Sequence, residues 1–244
     1  MTRLLPEFDR LYRAGAGAPL VDAQGRVRAA VLEGVQPAGW AELAPLWQGV
    51  QAELELPAPA IAVSGLDAIQ LWFSFESPVA AQRAHDFLAA LRERFLPDLP
   101  ASRVRLWPDP ATPARLPAIV PAPQGSSGNW SAFVSADLIG VFSDTPWLDI
   151  EPGAEGQAAL LRPLASMAPA AFDAALARLR TPAHGASAPA PASPRAMAAP
   201  PPAASAPAEE ARRFLLRVMN DESMAMALRI EAAKALLPLR DTGV

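Results

Sequence analysis

Along the first half of the chain, apolar positions switch between the spacing of strands and the spacing of helices. Short apolar or alternating segments predict four strands, at residues 28–32, 61–63, 71–75 and 103–107. Two longer segments repeat apolar residues every three or four positions and so predict helices, at residues 40–54 and 84–95. Ser77 and Pro78 precede the second segment and predict its N-cap and first helical position. A shorter helix is predicted at residues 6–13.

The order of these elements is strand, helix, strand, strand, helix, strand, which is the order of a split βαβ unit. We therefore predict an α+β fold built on a ferredoxin-like, RRM-like antiparallel sheet. Two helices cover one face of such a sheet, and the other face is left for a ligand or for more protein. Residues 111–150 predict additional β structure with irregular loops, including a strand at 130–134. Helices at 155–165 and 168–180 complete a body that we place at residues 1–180.

The C-terminal part of the chain has a different pattern. Twenty of the 28 residues from 181 to 208 are Ala or Pro, without helical or strand periodicity, which is typical of a disordered linker. Residues 209–244 carry apolar positions at helical spacing on either side of a polar break at 220–223. This segment predicts a helical hairpin that is too small to be stable alone. We expect the hairpin to bind another protein, another copy of the chain, or the body.

Composition limits the chemistry that the chain can support. There is no cysteine, so thiolate metal sites and disulfides are excluded. The formal net charge of −4 does not favour a broad surface for duplex nucleic acid, so any such binding is expected to be local. No long apolar window predicts a membrane span, and no secretory signal pattern is found near Met1. We expect a cytoplasmic protein.

The segment 60–75, with the sequence AIAVSGLDAIQLWFSF, contains the strongest candidate site. It predicts two strands joined by a turn at Ser64 and Gly65, where backbone N–H groups and a hydroxyl could bind phosphate. An imidazole would suit such a site, but Gln70 stands in its place. Neither His85 nor the other histidine, at position 184, is positioned to substitute for it.

Residues 28–147 resemble the archaeo-eukaryotic primase superfamily, specifically the primase-polymerases of bacterial mobile elements. The resemblance rests on the order and spacing of short motifs: VSG at 63–65, LWF at 71–73, ESPV at 76–79, VRLWP at 104–108 and RLP at 115–117. It implies a ferredoxin-like layer in which acidic residues bind divalent metal for nucleotide transfer. It also implies that Ser64, Gly65, Gln70 and Arg115 occupy nucleotide or phosphate positions.

The chain departs from the family pattern at the catalytic positions. Where the family carries a carboxylate pair, this chain has only Glu33, and where the family has a histidine it has Gln70. Asp67 and Asp137 are further acidic candidates as displaced ligands, although Asp137 is better explained as a helix N-cap. We therefore assign neither catalytic residues nor metal ligands. Arginines and acids interleaved at 92–109 predict a solvated surface of mixed charge.

Three functional hypotheses follow. In the first, the chain is a catalytically inactive primase-like protein that acts as an accessory or nucleic-acid-associated factor of a mobile genetic element, without a cofactor. In the second, it is an active primase-polymerase that uses Mg²⁺ bound by Glu33, Asp67 and Asp137. In the third, it is an interaction scaffold that acts through residues 209–244, whose segments FLLRVMND at 214–221 and LRIEAAKALLPL at 228–239 resemble helical tails of phage terminase small subunits. Replication proteins and nucleic acid are the expected partners.

Overall fold

The computed structural model of the chain describes residues 3–112, 115–117, 119–125 and 127–180. The chain divides into two units, residues 1–187 and 188–244, and every described residue belongs to the first. The predicted linker at 181–208 and hairpin at 209–244 therefore lie outside the described residues.

The described residues contain five α-helices and five β-strands. In chain order they are α1 (Leu4–Tyr12), β1 (Arg26–Val35), α2 (Trp40–Ala52), β2 (Ala60–Val63), β3 (Ala68–Ala80), α3 (Ala81–Phe95), β4 (Val104–Trp107), β5 (Ala132–Val134), α4 (Ala154–Leu161) and α5 (Pro169–Arg180). Short 3₁₀ turns lie at Ala101–Arg103 and Ile139–Phe142. Within this part of the chain, each helix is too short or too polar to cross a membrane.

The strands form one open sheet in the order β4-β1-β3-β2-β5, and every neighbouring pair is antiparallel. The α+β class predicted from the sequence is confirmed. One row of directly opposed residues crosses all five strands, and it defines the position of the candidate site described below. The row consists of Arg105, Glu33, Gln70, Ala62 and Phe133.

One face of the sheet is covered by α2, α3 and α5. Leu43 of α2 packs so closely over Gly34 of β1 that a Cβ there would lie 2.9 Å from its side chain. Phe73 of β3 meets Phe87 of α3 edge to face, with ring centroids 5.6 Å apart. Phe172 of α5 extends this contact to Phe87 at 5.4 Å. Because side chains alternate along a strand, the side chains of the row that contains Glu33 and Gln70 point to the opposite face of the sheet.

The opposite face is covered by more protein at one end. Phe8 and Tyr12 of α1 pack on Trp72 of β3 at 5.8 and 5.1 Å, and Phe133 of β5 joins the same aromatic cluster. Burial raises the pKa of Tyr12 well above its ordinary value, and the nearby Arg10 offsets part of this shift. The sequence analysis left this face for a ligand or for more protein. At this end of the sheet, it is covered by protein, namely by α1.

Two sequence predictions about helix starts are wrong. Ser77 and Pro78 do not begin α3, because β3 continues to Ala80 and the helix begins at Ala81 without a side-chain cap. Asp137 is not an N-cap either, since the 3₁₀ turn Ile139–Phe142 has Leu138 at that position. At Ser77 and Pro78 the pairing of β3 with β1 continues to Ala80 and overrides the local capping signal. At Asp137 the turn begins earlier, since the Leu138 and Ile139 N–H groups both donate to the Ser135 carbonyl.

The outer edge of β5 is closed by one side chain from α4. The amide of Gln157 accepts a hydrogen bond from the Phe133 N–H at 2.7 Å and donates one to the Phe133 carbonyl at 3.0 Å. Both bonds are buried, and the amide thus pairs with the strand as a further strand would. This contact protects a strand edge that would otherwise be open to pairing with another chain.

We expect Gln157→Leu to destabilise the protein by about 2–4 kcal/mol, because a buried N–H and a buried carbonyl lose their partners together. Urea unfolding followed by circular dichroism measures this change. Gln82→Leu is the matched control, since Gln82 is exposed and its amide, within the part of the chain that the structure describes, bonds only to Asp86. Equal effects of the two substitutions would contradict the role assigned to Gln157.

Candidate functional site

The candidate site is centred on Glu33, a carboxylate buried within the sheet. Glu33 lies on β1 between Gln70 on β3 and Arg105 on β4, its direct partners in the two ladders. Only 8% of its side chain is exposed. Burial of a carboxylate costs free energy unless the group is paired and hydrogen-bonded. The residues beside Glu33 therefore have to compensate its charge for β1 to fold.

A chain of hydrogen bonds runs from Trp72 through Gln70 to Glu33. The Trp72 indole Nε1 donates to Gln70 Oε1 at 2.8 Å, and Gln70 Nε2 donates to Glu33 Oε1 at 2.7 Å. The indole can only donate, so it fixes the orientation of the amide and aims the NH₂ group at the carboxylate. The Gln70 side chain therefore serves as a buried hydrogen-bond relay in the position where the resemblance implies a histidine.

Two arginines approach the other oxygen of the Glu33 carboxylate. Arg105 Nη1 donates to Glu33 Oε2 at 3.3 Å, and Arg115 Nη2 lies 3.9 Å from the same oxygen. Arg105 Nη2 also donates to Asp67 Oδ2, on the turn between β2 and β3. Two carboxylates and two guanidinium groups are thus brought together, and their formal charges cancel.

The loop that carries Arg115 is organised by its own hydrogen bonds. Asp109 accepts bonds from the Thr112 hydroxyl at 2.8 Å and from the Ala111 N–H at 2.9 Å. These bonds, the Thr112 bond first, lower the pKa of Asp109 below its ordinary value. Residues 115–117 follow and, together with β4 and Glu33, line a cavity of about 10 Å³, which is room for about one water molecule.

The arrangement does not fit a divalent metal ion. Such an ion needs several free anionic oxygens, whereas Glu33 Oε1 is bonded to Gln70 and Glu33 Oε2 faces Arg105 and Arg115. Two fixed positive charges within 4 Å of the same oxygen would also repel the ion. Among the described residues, no group of three or more histidine or acidic side chains is placed to hold a metal.

Internal hydrogen bonds occupy the turn at Ser64 and Gly65. The Ser64 hydroxyl accepts bonds from the N–H groups of Leu66, Asp67 and Ala68 at 3.0–3.2 Å. The Gly65 N–H donates to the carbonyl of Pro146 at 2.9 Å. Phosphate binding by Ser64 and Gly65 stays a prediction, and a phosphate would have to displace these bonds.

Asp137 lies away from the other candidates. It follows β5, and the ladder places Phe133 three strands from Glu33, which is about 14 Å at ordinary strand spacing. His85 also lies elsewhere, on α3, with Nδ1 3.0 Å from the Pro108 carbonyl oxygen. Of the residues proposed from the sequence, Glu33, Asp67, Gln70 and Arg115 therefore meet in one network.

Sequence reasoning missed Arg105, which was grouped with the solvated charges at 92–109. Its side chain is 30% exposed and bridges Glu33 and Asp67. The signal was present in β4, where Arg105 and Trp107 share one face of a short strand and alternate with Val104 and Leu106. Only the register of β4 against β1 shows that the acid opposite Arg105 is Glu33.

We expect Gln70→Met to destabilise the protein by about 2–4 kcal/mol, because the buried Trp72 N–H and the Glu33 carboxylate each lose a partner. Chemical unfolding followed by tryptophan fluorescence measures the change. Gln51→Met is the control, since the half-buried Gln51 amide bonds, among the described residues, only to the Trp47 carbonyl of α2. A Gln70 variant as stable as this control would show that the relay is dispensable.

We expect Gly65→Ala to cost about 2–4 kcal/mol, against about 1 kcal/mol for Gly128→Ala. Both glycines have positive φ, at 79° and 78°, so backbone strain is matched. A Cβ on Gly65 would lie 2.7 Å from Ser131 N and 2.9 Å from the Trp130 carbonyl carbon, whereas Gly128 has open space. If thermal unfolding gave equal losses of stability for the two variants, only the positive φ, and not the close contacts, would account for glycine at position 65.

Comparison of the chain with protein-family models gives no match, and comparison with curated proteins gives none either. We therefore infer function from the geometry of the Glu33 site and from the order of the strands. Both belong to the described residues.

Proposed function

We propose that the chain is a primase-like protein without nucleotidyltransferase activity, acting as an accessory or nucleic-acid-associated factor of a mobile genetic element. The observation that carries this proposal is the state of Glu33. Both of its carboxylate oxygens are engaged, one by an amide and the other by guanidinium groups. A carboxylate held in this way is not available to bridge metal ions during phosphoryl transfer.

The topology supports the primase-like part of the proposal. The first four strands lie in the order β4-β1-β3-β2, with α2 and α3 following β1 and β3 and packing on the same face. This is the order that a split βαβ, ferredoxin-like layer requires. The motifs that resemble those of primase-polymerases lie on the β2–β3 turn, on β3, on β4 and in the loop after β4.

The nucleic-acid part of the proposal rests on Arg115. Its side chain is 53% exposed, and within the network it makes the longest contact, 3.9 Å to Glu33. A guanidinium on an exposed loop can pair with a backbone phosphate while Arg105 continues to neutralise Glu33. The Arg115 side chain thus offers one local phosphate contact on a molecule whose overall charge is slightly negative.

A second candidate function is nucleotidyl transfer with displaced metal ligands. The observation in its favour is that Glu33 and Asp67, distant in sequence, both bond to Arg105. Catalysis would require Arg105 to leave this position and a third acidic ligand to arrive from elsewhere. Asp137 lies across the sheet from this point, so the second candidate is less well supported. The interaction hypothesis concerns residues 209–244, outside the described part.

We expect the protein to give no template-dependent extension of a labelled primer with deoxynucleotides and either Mg²⁺ or Mn²⁺. The physical reason is that Glu33 is neutralised by Arg105 and Arg115. A known primase-polymerase in the same buffer serves as the positive control. Extension that is lost in Glu33→Gln would overturn the proposal and support the second candidate, whereas extension that survives in that variant indicates a contaminant.

We expect weak, salt-dependent binding to single-stranded oligonucleotides, and we expect Arg115→Ala to lower the slope of log affinity against log salt by about one phosphate contact. Fluorescence anisotropy over a salt series measures both quantities. Arg162→Ala is the matched control, because Arg162 is equally exposed, at 51%, but lies just after α4. Absence of binding at low salt would remove the nucleic-acid part of the proposal.

A further inference from the structure

The Arg105 guanidinium lies between two carboxylates that belong to different parts of the sheet. Its Nη1 donates to Oε2 of the buried Glu33 at 3.3 Å, and its Nη2 donates to Oδ2 of Asp67 on the β2–β3 turn. Two acidic groups therefore converge on a single positive charge. That charge is supplied by β4, the edge strand beside β1.

Two carboxylates that converge on one point are a usual arrangement around a divalent cation. In this protein the point is filled by a side chain that is always protonated. Little space remains beside it, since the adjoining cavity measures about 10 Å³. Gln70 holds Glu33 Oε1 on the other side, so the carboxylate cannot turn away without breaking that 2.7 Å bond.

We propose that Arg105 is the resident cation of this site, occupying the position between Glu33 and Asp67 and excluding divalent ions by its charge and its volume. These contacts exist whatever family the chain belongs to. It follows that Glu33 and Asp67 can still bind a cation, but that Arg105 prevents this binding by occupying the position between them. Removing the charge of Arg105 should expose this capacity, with Glu33 and Asp67 as the ligands.

The test uses the full chain with Arg105→Gln, which removes the charge and keeps a hydrogen-bond donor. Mn²⁺ is the probe, with calorimetric titration and the thermal midpoint of unfolding as readouts. We expect Mn²⁺ to bind this variant at least about tenfold more tightly than the natural protein and to raise its midpoint. Arg105→Lys keeps the positive charge and should show neither effect.

Two controls separate this site from general surface binding. Arg103→Ala removes a neighbouring exposed arginine that donates to the Gln36 carbonyl and, among the described residues, to no carboxylate, so this variant should not gain Mn²⁺ affinity. Adding Glu33→Gln to Arg105→Gln should abolish the gain. Because Arg115 also faces Glu33, the double variant Arg105→Gln with Arg115→Ala should bind Mn²⁺ more tightly than Arg105→Gln alone.

The proposal is overturned if folded Arg105→Gln binds Mn²⁺ no better than the natural protein, or if the gain survives loss of Glu33. If Arg105→Gln does not fold alone, recovery of its circular dichroism spectrum by Mn²⁺ or by low millimolar guanidinium supports the proposal, and recovery by neither overturns it. These outcomes are independent of the primer-extension result, which concerns the natural protein. Failure of one proposal is therefore distinguishable from failure of the other.

Discussion

A carboxylate buried within an antiparallel sheet has to be compensated by the strands on either side of it, and Glu33 places this constraint on the whole site. Gln70 from β3 and Arg105 from β4 are its direct ladder partners, and each satisfies one of its oxygens. Leaving a buried charge without a partner costs several kcal/mol, about as much as a small domain can lose. The register of β1, β3 and β4 is therefore tied to the presence of Gln70 and Arg105 at the positions opposite Glu33.

The same constraint explains how the two ends of the sheet face differ. Around Trp72 the face is apolar and is covered by α1, with Phe8, Tyr12 and Phe133 each packed edge to face on the Trp72 ring. Around Glu33 the face is polar and is closed by arginines and by the loop at 115–117. Trp72 joins the two regions, because its ring belongs to the aromatic cluster while its Nε1 begins the hydrogen-bond chain to Glu33.

Much of the fold could be predicted from the sequence, because the periodicity of apolar residues records which face of each element is buried. The helix predicted at 84–95 is α3, and its apolar residues Phe87 and Leu91 are fully buried. Trp72, in the strand predicted at 71–75, is likewise buried. Helix starts were predicted less well: the proline at position 78 suggested a helix N-terminus, whereas the chain there continues as a bulged extension of β3.

The sequence by itself determined the α+β class, the order of the elements and the absence of a paired carboxylate near Glu33. These properties are local, since they depend on residue type and on spacing along the chain. Only the tertiary structure decided that Asp67 and Arg105 meet at Glu33, and that Gln157 closes the edge of β5. Such contacts join residues from separate elements, as with Glu33 and Arg105, which are 72 positions apart, and they depend on strand register. The Ser64–Gly65 turn shows the same limit, because its sequence suggests a phosphate site while its N–H groups bond to partners within the fold.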